Sequence, residues 1–438
     1  MIVSMCIASL WLGGAPAPVP VADKDEGEKA RTHEARIRSL EEEVARLGAA
    51  SVATEEQDDD ALDGSWSGGK FHFVSRDGNF TAQFGGRLHM DAGGVDTDDN
   101  WDASVGMNQE DAAEIRAGRL FMAGVVNKTV EYKWQIDFAG GVNKFKDFYL
   151  ALEESPAGKI KFGQFKESQG LEELTSSNYI STMERSSMGA LIPGRNIGLQ
   201  VSDHNAAKTV TWAAGAFKDD GSDTGMQVGS GETNLTARVT GTPWNRNGGR
   251  ELLHVGASAR ASQDVGGMMR FKTNGPTAIT TSSAVDTGAI AANGATVYGI
   301  EGALVQGPFS LQGEWTQAMV DAKAGSNPEF SGWYALASWF LTGENRVYKT
   351  SSASFSRVKP KHNYGPGGGG AYEAVARVGA VDLDDAGVTG GELQDLTLGL
   401  NWYLLPNSRI MLNWIHMELD GSRNGDADVV ALRWQLDF

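Results

Sequence analysis

From about residue 70 to the C-terminus, apolar and polar residues alternate with a period of two. In Thr129–Phe138 the residues Val130, Tyr132, Trp134, Ile136 and Phe138 fall on one face, with Thr129, Glu131, Lys133, Gln135 and Asp137 on the other. That period belongs to a strand whose two faces meet different surroundings. The pattern recurs in Leu88–Ala92, Ile197–Val201, Val210–Ala216, Leu235–Val239, Trp333–Leu341, Leu396–Trp402 and Val430–Phe438. About sixteen such segments start near residues 80, 114, 129, 144, 159, 196, 209, 233, 251, 296, 308, 332, 371, 394, 408 and 428. Many run about ten residues, the length a tilted strand needs to cross a bilayer. Their connections mostly alternate short (126–129, 155–158, 203–208, 306–308, 404–407) and long (93–113, 166–195, 219–232, 263–295, 319–331). Short turns at one end and long loops at the other mark an outer-membrane barrel. Two places fit badly: 140–143 is short on the long side, and 343–370 is long on the short side, with room for two more strands and a count of eighteen.

A soluble sandwich also alternates, but it needs two facing apolar layers and leaves edges to protect. Trp and Tyr cluster at segment ends here, as in Trp333-Tyr334 and Trp402-Tyr403, where interfacial girdles place them. The last alternating strand ends in Phe438, an ending that resembles the insertion signal of bacterial outer-membrane proteins. The fold class expected is all-β, a transmembrane antiparallel barrel of about sixteen strands preceded by a short coiled-coil helix.

Ahead of the barrel the pattern changes twice. Residues 1–22, with the apolar run MIVSMCIASLWL and a small-residue tail, read as a signal peptide without a basic n-region. In 23–50 the residues Ala30, His33, Ile37, Leu40, Val44 and Leu47 recur at spacings of three and four, an a/d seam. Fewer than three heptads are too short to be stable alone, so partner helices are expected. Residues 51–69, with Glu55, Glu56 and Asp58–Asp60, read as an acidic linker, and 70–438 as the barrel.

Composition narrows the function. The net charge is −18, which argues against a nucleic-acid binder. Glycine at 56 of 438 suits strands and turns. The single cysteine, Cys6, falls in the signal segment, so neither a disulfide framework nor a cysteine metal site is expected. No apolar run is long enough for a spanning helix, and a barrel needs none.

The stretches YKWQIDFAGG, KDFYLAL, KIKFGQFKES, LEELTSS, STMERS and PGRNIGLQ follow one another in order. With the weaker FLTGENRVY, SRVKPKHNYG, AYEAVARVGAVDL and LTLGLNWYLLPNSRIMLNW, they make the chain similar to the phosphate-selective porins of bacterial outer membranes (the O and P porins) from Phe80 to Phe438. The resemblance implies a sixteen-stranded barrel in a homotrimer, a third long loop (here 166–195) folded into the lumen, and a periplasmic trimeric coil. It also implies an anion preference resting on basic pore residues, carried over onto Lys146, Lys166, Arg185 and Arg195.

Strand parity independently turns Arg87, Arg116, Lys133, Lys161, Arg238, Arg260 and Arg377 inward, where fixed charge sets ion preference. Lys146 shares parity with the outward Phe148 and suits a rim. The same lumen holds acids, among them Asp91, Glu114, Glu131, Asp137, Asp147 and Glu153, and loop 166–195 carries three basic and four acidic residues. A wall network of ion pairs is therefore the competing reading of the basic set. Arg185, inside the loop, is the better candidate for direct contact with an anion, and Lys166 and Arg195 flank it.

Other signals fall short. Asp96, Asp98, Asn100 and Asp102 alternate like a calcium loop but lack its Gly and Glu. Gly64–Lys70 nearly forms a P-loop, but Phe71 stands where Ser or Thr must be. Gly365, Gly367 and Gly370 match a dinucleotide spacing ahead of a strand rather than after one. No enzyme motif, cofactor or metal site is expected. The expected function is passive diffusion of small anions, phosphate first, across the outer membrane, with outer-membrane lipid as surroundings. A general porin of little charge preference and a structural tether of the envelope are the alternatives.

Overall fold

The computed structural model describes residues 24–53, 61–106, 111–141, 143–218, 233–263 and 267–438. Residues 1–22 of the expected signal peptide, Cys6 among them, lie outside the described residues. The chain divides into two units, Met1–Ala61 and Leu62–Phe438. In the first, α1 (Lys24–Ala53) takes in the whole heptad segment and runs past its expected end at residue 50. The seam residues Ile37, Leu40 and Val44 stand exposed.

The second unit is a closed antiparallel barrel of sixteen wall strands. They are β1 (Phe80–Thr97), β2 (Asp111–Val126), β3 (Val130–Asp137), β4 (Lys144–Leu152), β5 (Lys159–Lys166), β6 (Arg195–His204), β7 (Val210–Lys218) and β8 (Thr233–Arg246). There follow β9 (Glu251–Gln263), β10 (Ile290–Gln306), β11 (Phe309–Ala322), β12 (Glu329–Phe340), β13 (Ala371–Asp385), β14 (Val388–Leu405), β15 (Ser408–Asp420) and β16 (Gly425–Asp437). β16 pairs with β1 from Ala427↔Thr97 to Asp437↔Arg87, which closes the wall and leaves no edge in hydrocarbon. All sixteen expected segments are strands. Their apolar faces point outward: Phe162, Trp339 and Trp434 are half-exposed or more.

The short end of the barrel departs from the expected pattern. Segment 341–370 adds no wall strand, so the count is sixteen. Its two strands, Val347–Lys349 and Ser354–Ser356, are three residues each, far too short to span, and pair only with each other. They fold into the lumen, where Phe355 packs with Leu171, Leu252, Ala303 and Val305. Short turns also occur at the long-loop end: Ala386 (φ 50°) and Gly387 (φ 86°) join β13 to β14.

The linker assignment also needs correction. Leu62–Ser67 and Lys70–Ser75 form a hairpin, and its second strand pairs with β1 from Phe71↔Phe84 to Val74↔Thr81. Gly68 and Gly69 have φ of 59° and 79°, the left-handed pair that a two-residue hairpin turn requires. Gly69 is also the second glycine of the near match to a P-loop.

Toward the long-loop end the inward faces of β10–β16 are apolar rather than polar. Val297, Val320, Phe330, Val381, Leu393, Ile415, Met417 and Val429 form one buried core with Phe271, Ile279 and Val285 of the connection between β9 and β10. Loops fill that part of the lumen and exclude water, so inward residues there behave like the core of a soluble protein. The calcium-like run in the first long loop has a structural use: Asp98 accepts the N–H of Trp101 at 2.7 Å and caps α2 (Asp99–Val105).

Candidate functional site

Residues 167–194 cross the lumen and are held by inward side chains of β11 and β13–β16. Glu314 accepts the N–H groups of Leu171 and Glu172 at 2.8 and 2.6 Å, and Asn413 accepts that of Met183 at 2.8 Å. Arg377 donates to Thr182 Oγ1 and to the Glu184 carbonyl at 2.9 Å each. Ser181 and Ser187 donate to Glu373 and Asp395 at 2.8 and 2.7 Å. Backbone groups buried in a dry lumen must find partners, and the barrel wall supplies them.

Across from this anchorage the loop leaves an open cleft against β1–β7, a cavity of about 920 Å³. Seven Arg and five Lys line it, against two Asp and four Glu. In a chain of net charge −18, the lining of this cleft is basic.

Three carboxylates in or beside the cleft are each shared by two cations. Glu184 takes both forks of Arg116 at 2.9 Å and Arg433 at 2.5 Å. Arg433 in turn grips Asp91 at 2.7 and 2.6 Å. Glu173 meets Lys166 and Arg185, each at 2.9 Å. Asp147 meets Arg195 at 2.8 Å and Lys133. Burial by itself would raise the Glu184 carboxyl; Arg116 and Arg433 outweigh it and hold the group down to about 2. Glu173, half-buried, is held below its ordinary value by Arg185 and Lys166. Around Glu173 and Asp147 one negative charge between two positive ones fixes both side chains and leaves positive charge over, whereas Asp91 makes the count even around Glu184.

Arg87 and Lys161 make no ion pair with a carboxylate among the described residues. Arg87 donates to the hydroxyls of Ser177 and Ser176 at 2.7 and 3.4 Å. The Lys161 ammonium lies 4.5 Å from the ring centre of Tyr149 and 4.9 Å from that of Phe165. Neutral partners hold these two cations in place without cancelling them.

The residues expected from sequence divide accordingly. Arg87, Arg116, Lys133, Lys161, Lys166, Arg185, Arg195 and Arg238 line the cavity. Arg185, the candidate for direct contact, is a strut instead: it donates to the carbonyls of Glu172, Glu173 and Thr175 at 3.1, 3.1 and 2.8 Å and so shapes the loop. Arg238 is buried against Glu301 and the Ala353 carbonyl. Asp137 does not line the cavity; it pairs with Arg119 at 2.6 Å and accepts the N–H groups of Gly118 and Ala139. Lys146 does not line it either. It sits where the pairing of β3 with β4 slips, between Trp134↔Phe148 and Ile136↔Phe145, so simple parity fails there. Arg260 and Arg377 face inward but are buried beneath the loop, on Glu167 and Glu172.

Four basic lining residues were not singled out from the sequence: Arg119, Lys159, Lys349 and Arg433. Parity with Lys161 and with the outward Trp434 makes Lys159 and Arg433 legible. Arg119 was hidden by a bulge, because β2 slips between His89↔Ala117 and Met90↔Ile115, turning both Arg116 and Arg119 inward. Lys349 belongs to the infolded segment.

Comparison with known proteins agrees with this geometry. A family model described as phosphate-selective porin O and P matches residues 82–438. Porin O of Pseudomonas aeruginosa is 27% identical over 402 residues, covering 82% of this chain and 88% of that one. Among solved structures, the anion-selective porin of Comamonas acidovorans aligns with a TM-score of 0.53 at 11% identity, over 82% of this chain and all of that one. The outer-membrane channel DcaP of Acinetobacter baumannii aligns with a TM-score of 0.51 at 15% identity, over 84% and 99%. At such identities the solved structures speak to the fold alone.

Proposed function

Since the chain belongs to the phosphate-selective porin O and P family, and is thus an outer-membrane channel rather than an enzyme, we propose that its lumen passes small anions by passive diffusion, phosphate and related oxyanions foremost. The observation that carries this reading is that Arg87 and Lys161 face one cleft with no carboxylate paired to either among the described residues, in a lining where basic side chains outnumber acidic ones twelve to six. An anion leaving bulk water needs fixed positive charge to offset its lost hydration, and binding must stay weak enough for release. Arg87 and Lys161 supply donors not neutralised by a carboxylate, and the guanidinium fork of Arg87 suits two oxygens of an oxyanion.

The general-porin reading has one observation in its favour: most of the basic residues here are ion-paired. Reversal potentials in planar bilayers across a salt gradient separate the two readings. An anion preference, with chloride current blocked by added phosphate, is the expected result. A ratio near unity without phosphate block would hand the function to the general porin. A folded barrel that carries no current would favour the structural tether.

We further assign the molecule to a homotrimer with its heptad segment in the periplasm. Support comes from the exposed seam Ile37, Leu40 and Val44, which one chain leaves uncovered, and from the position of that segment in the chain, ahead of the short-turn end. Residues 1–22 are assigned to export.

A further inference from the structure

The hairpin Leu62–Ser75 is amphipathic, and pairing register fixes its faces. Trp66 pairs with Phe71, Gly64 with Phe73 and Leu62 with Ser75, so Leu62, Trp66, Phe71 and Phe73 share one face. Asp63, Ser65, Ser67, Lys70 and His72 lie on the other with a single apolar residue, Val74, and there the Lys70 ammonium stands 5.3 Å from the ring centre of Phe121. The apolar face is bare: Leu62, Trp66 and Phe71 are 51%, 56% and 53% exposed. Trp66 and Phe71 meet edge-on, with ring centres 4.4 Å apart.

This face is continuous with the outer wall of the barrel. Phe71 pairs with Phe84, Phe84 with Met122, Met122 with Trp134 and Trp134 with Phe148. Directly paired residues lie on the same side of a sheet. Trp66 and Phe71 therefore extend a single outward row whose far members belong to the lipid-facing belt of an outer-membrane porin. Strand tilt carries that row down to the short-turn rim, which is the periplasmic end of such barrels.

We propose that the hairpin is an interfacial anchor whose apolar face rests in the periplasmic leaflet of the outer membrane. Its depth is limited by its own backbone. The outer edge of Leu62–Ser67 pairs with no strand among the described residues, and unpaired N–H and C=O groups are not tolerated in hydrocarbon. The headgroup level satisfies both requirements, since water reaches the free edge while Trp66 and Phe71 reach the acyl boundary.

The test uses the full chain with Cys6→Ser, reconstituted in phosphatidylethanolamine–phosphatidylglycerol vesicles. A thiol-linked fluorophore is placed at Trp66→Cys or Phe71→Cys, with Ser65→Cys on the polar face and Phe162→Cys on the belt as references. A nitroxide carried on lipid near the headgroup should quench labels at 66 and 71 at least about threefold more than the label at 65, with aqueous iodide showing the reverse order. Either apolar-face position serves if the other variant does not fold. If iodide reaches 66 and 71 as readily as 65, the face is bare in water and the anchor is refuted. If neither quencher reaches them, protein covers the face, and the lipid assignment is equally overturned. None of these readings depends on which ion the pore prefers.

Discussion

The two halves of the barrel interior turn the same alternating wall to opposite uses. Along β11–β16 the inward polar groups are buried and face the crossing loop, as with Glu314, Arg377, Asp395 and Asn413. Along β2–β7 they face an open cleft, as with Lys133, Asp147 and Lys161. Arginine serves both halves. Buried Arg377 works as a hydrogen-bond hub between loop and wall, whereas Arg87, held only by serine hydroxyls, keeps its charge toward the cleft. The difference lies in what stands opposite, since burial makes a charge an obligatory partner and hydration leaves it free to act on a passing ion.

The largest effect should come from breaking the anchoring half. Arg377→Ala leaves the buried Glu172 and Asp395 without their cation, at a cost of about 3–5 kcal/mol. The loop should leave the wall, and single-channel conductance should rise as the melting temperature falls. Unchanged conductance would mean that the loop does not depend on this hub. The outer face, by contrast, should be indifferent to which half lies behind it. Trp339→Arg, behind the anchoring half, should cost about 2–4 kcal/mol in bilayer folding if it lies near the midplane, and so should Phe162→Arg behind the cleft. A large disparity at equal depth would show that the filled lumen stiffens its own wall.

On the cleft side, Arg87→Gln with Lys161→Gln should lower the anion-over-cation permeability ratio about threefold or more while leaving stability within ~1 kcal/mol. Reversal potentials and thermal melts measure the two. A preserved ratio would move selectivity to the paired cations, and Lys166→Gln with Arg195→Gln then becomes the deciding variant.

Glu184 joins the halves, bound by Arg116 of the cleft and Arg433 of β16. Its pKa is depressed from 4.5 to about 2. A depressed carboxyl stabilises the folded state fully above its unfolded value, and the contribution is lost as pH falls through the folded one. Conductance and loop protection from proteolysis should therefore hold steady from neutral pH down to about 5 and weaken between about 4.5 and 2. Glu184→Gln should remove this acid step. The smallest effect should follow deletion of residues 28–47, which removes no residue of either half: conductance per pore should not change, and only trimer association in mild detergent should fall.

What the sequence alone determined is the wall. Side chains of a strand alternate by local backbone geometry, so about sixteen strands and most of their outward faces could be read without any knowledge of neighbours, while 343–370 left eighteen open. The Gly68-Gly69 turn was equally local and equally legible, although the acidic residues before it drew the segment into a linker. Tertiary structure decided what lies inside. The bulges at Arg116 and Lys146 reverse parity, and they arise from mismatch between neighbouring strands rather than from either strand's own pattern. The infolding of 341–370 depends on partners such as Gln312 for Arg346. Asp91 and Arg433 meet across 342 residues of sequence because the barrel closes there. A charge's sign is written in the sequence, but whether a carboxylate cancels it depends on distances of a few ångströms that only closure and loop docking set.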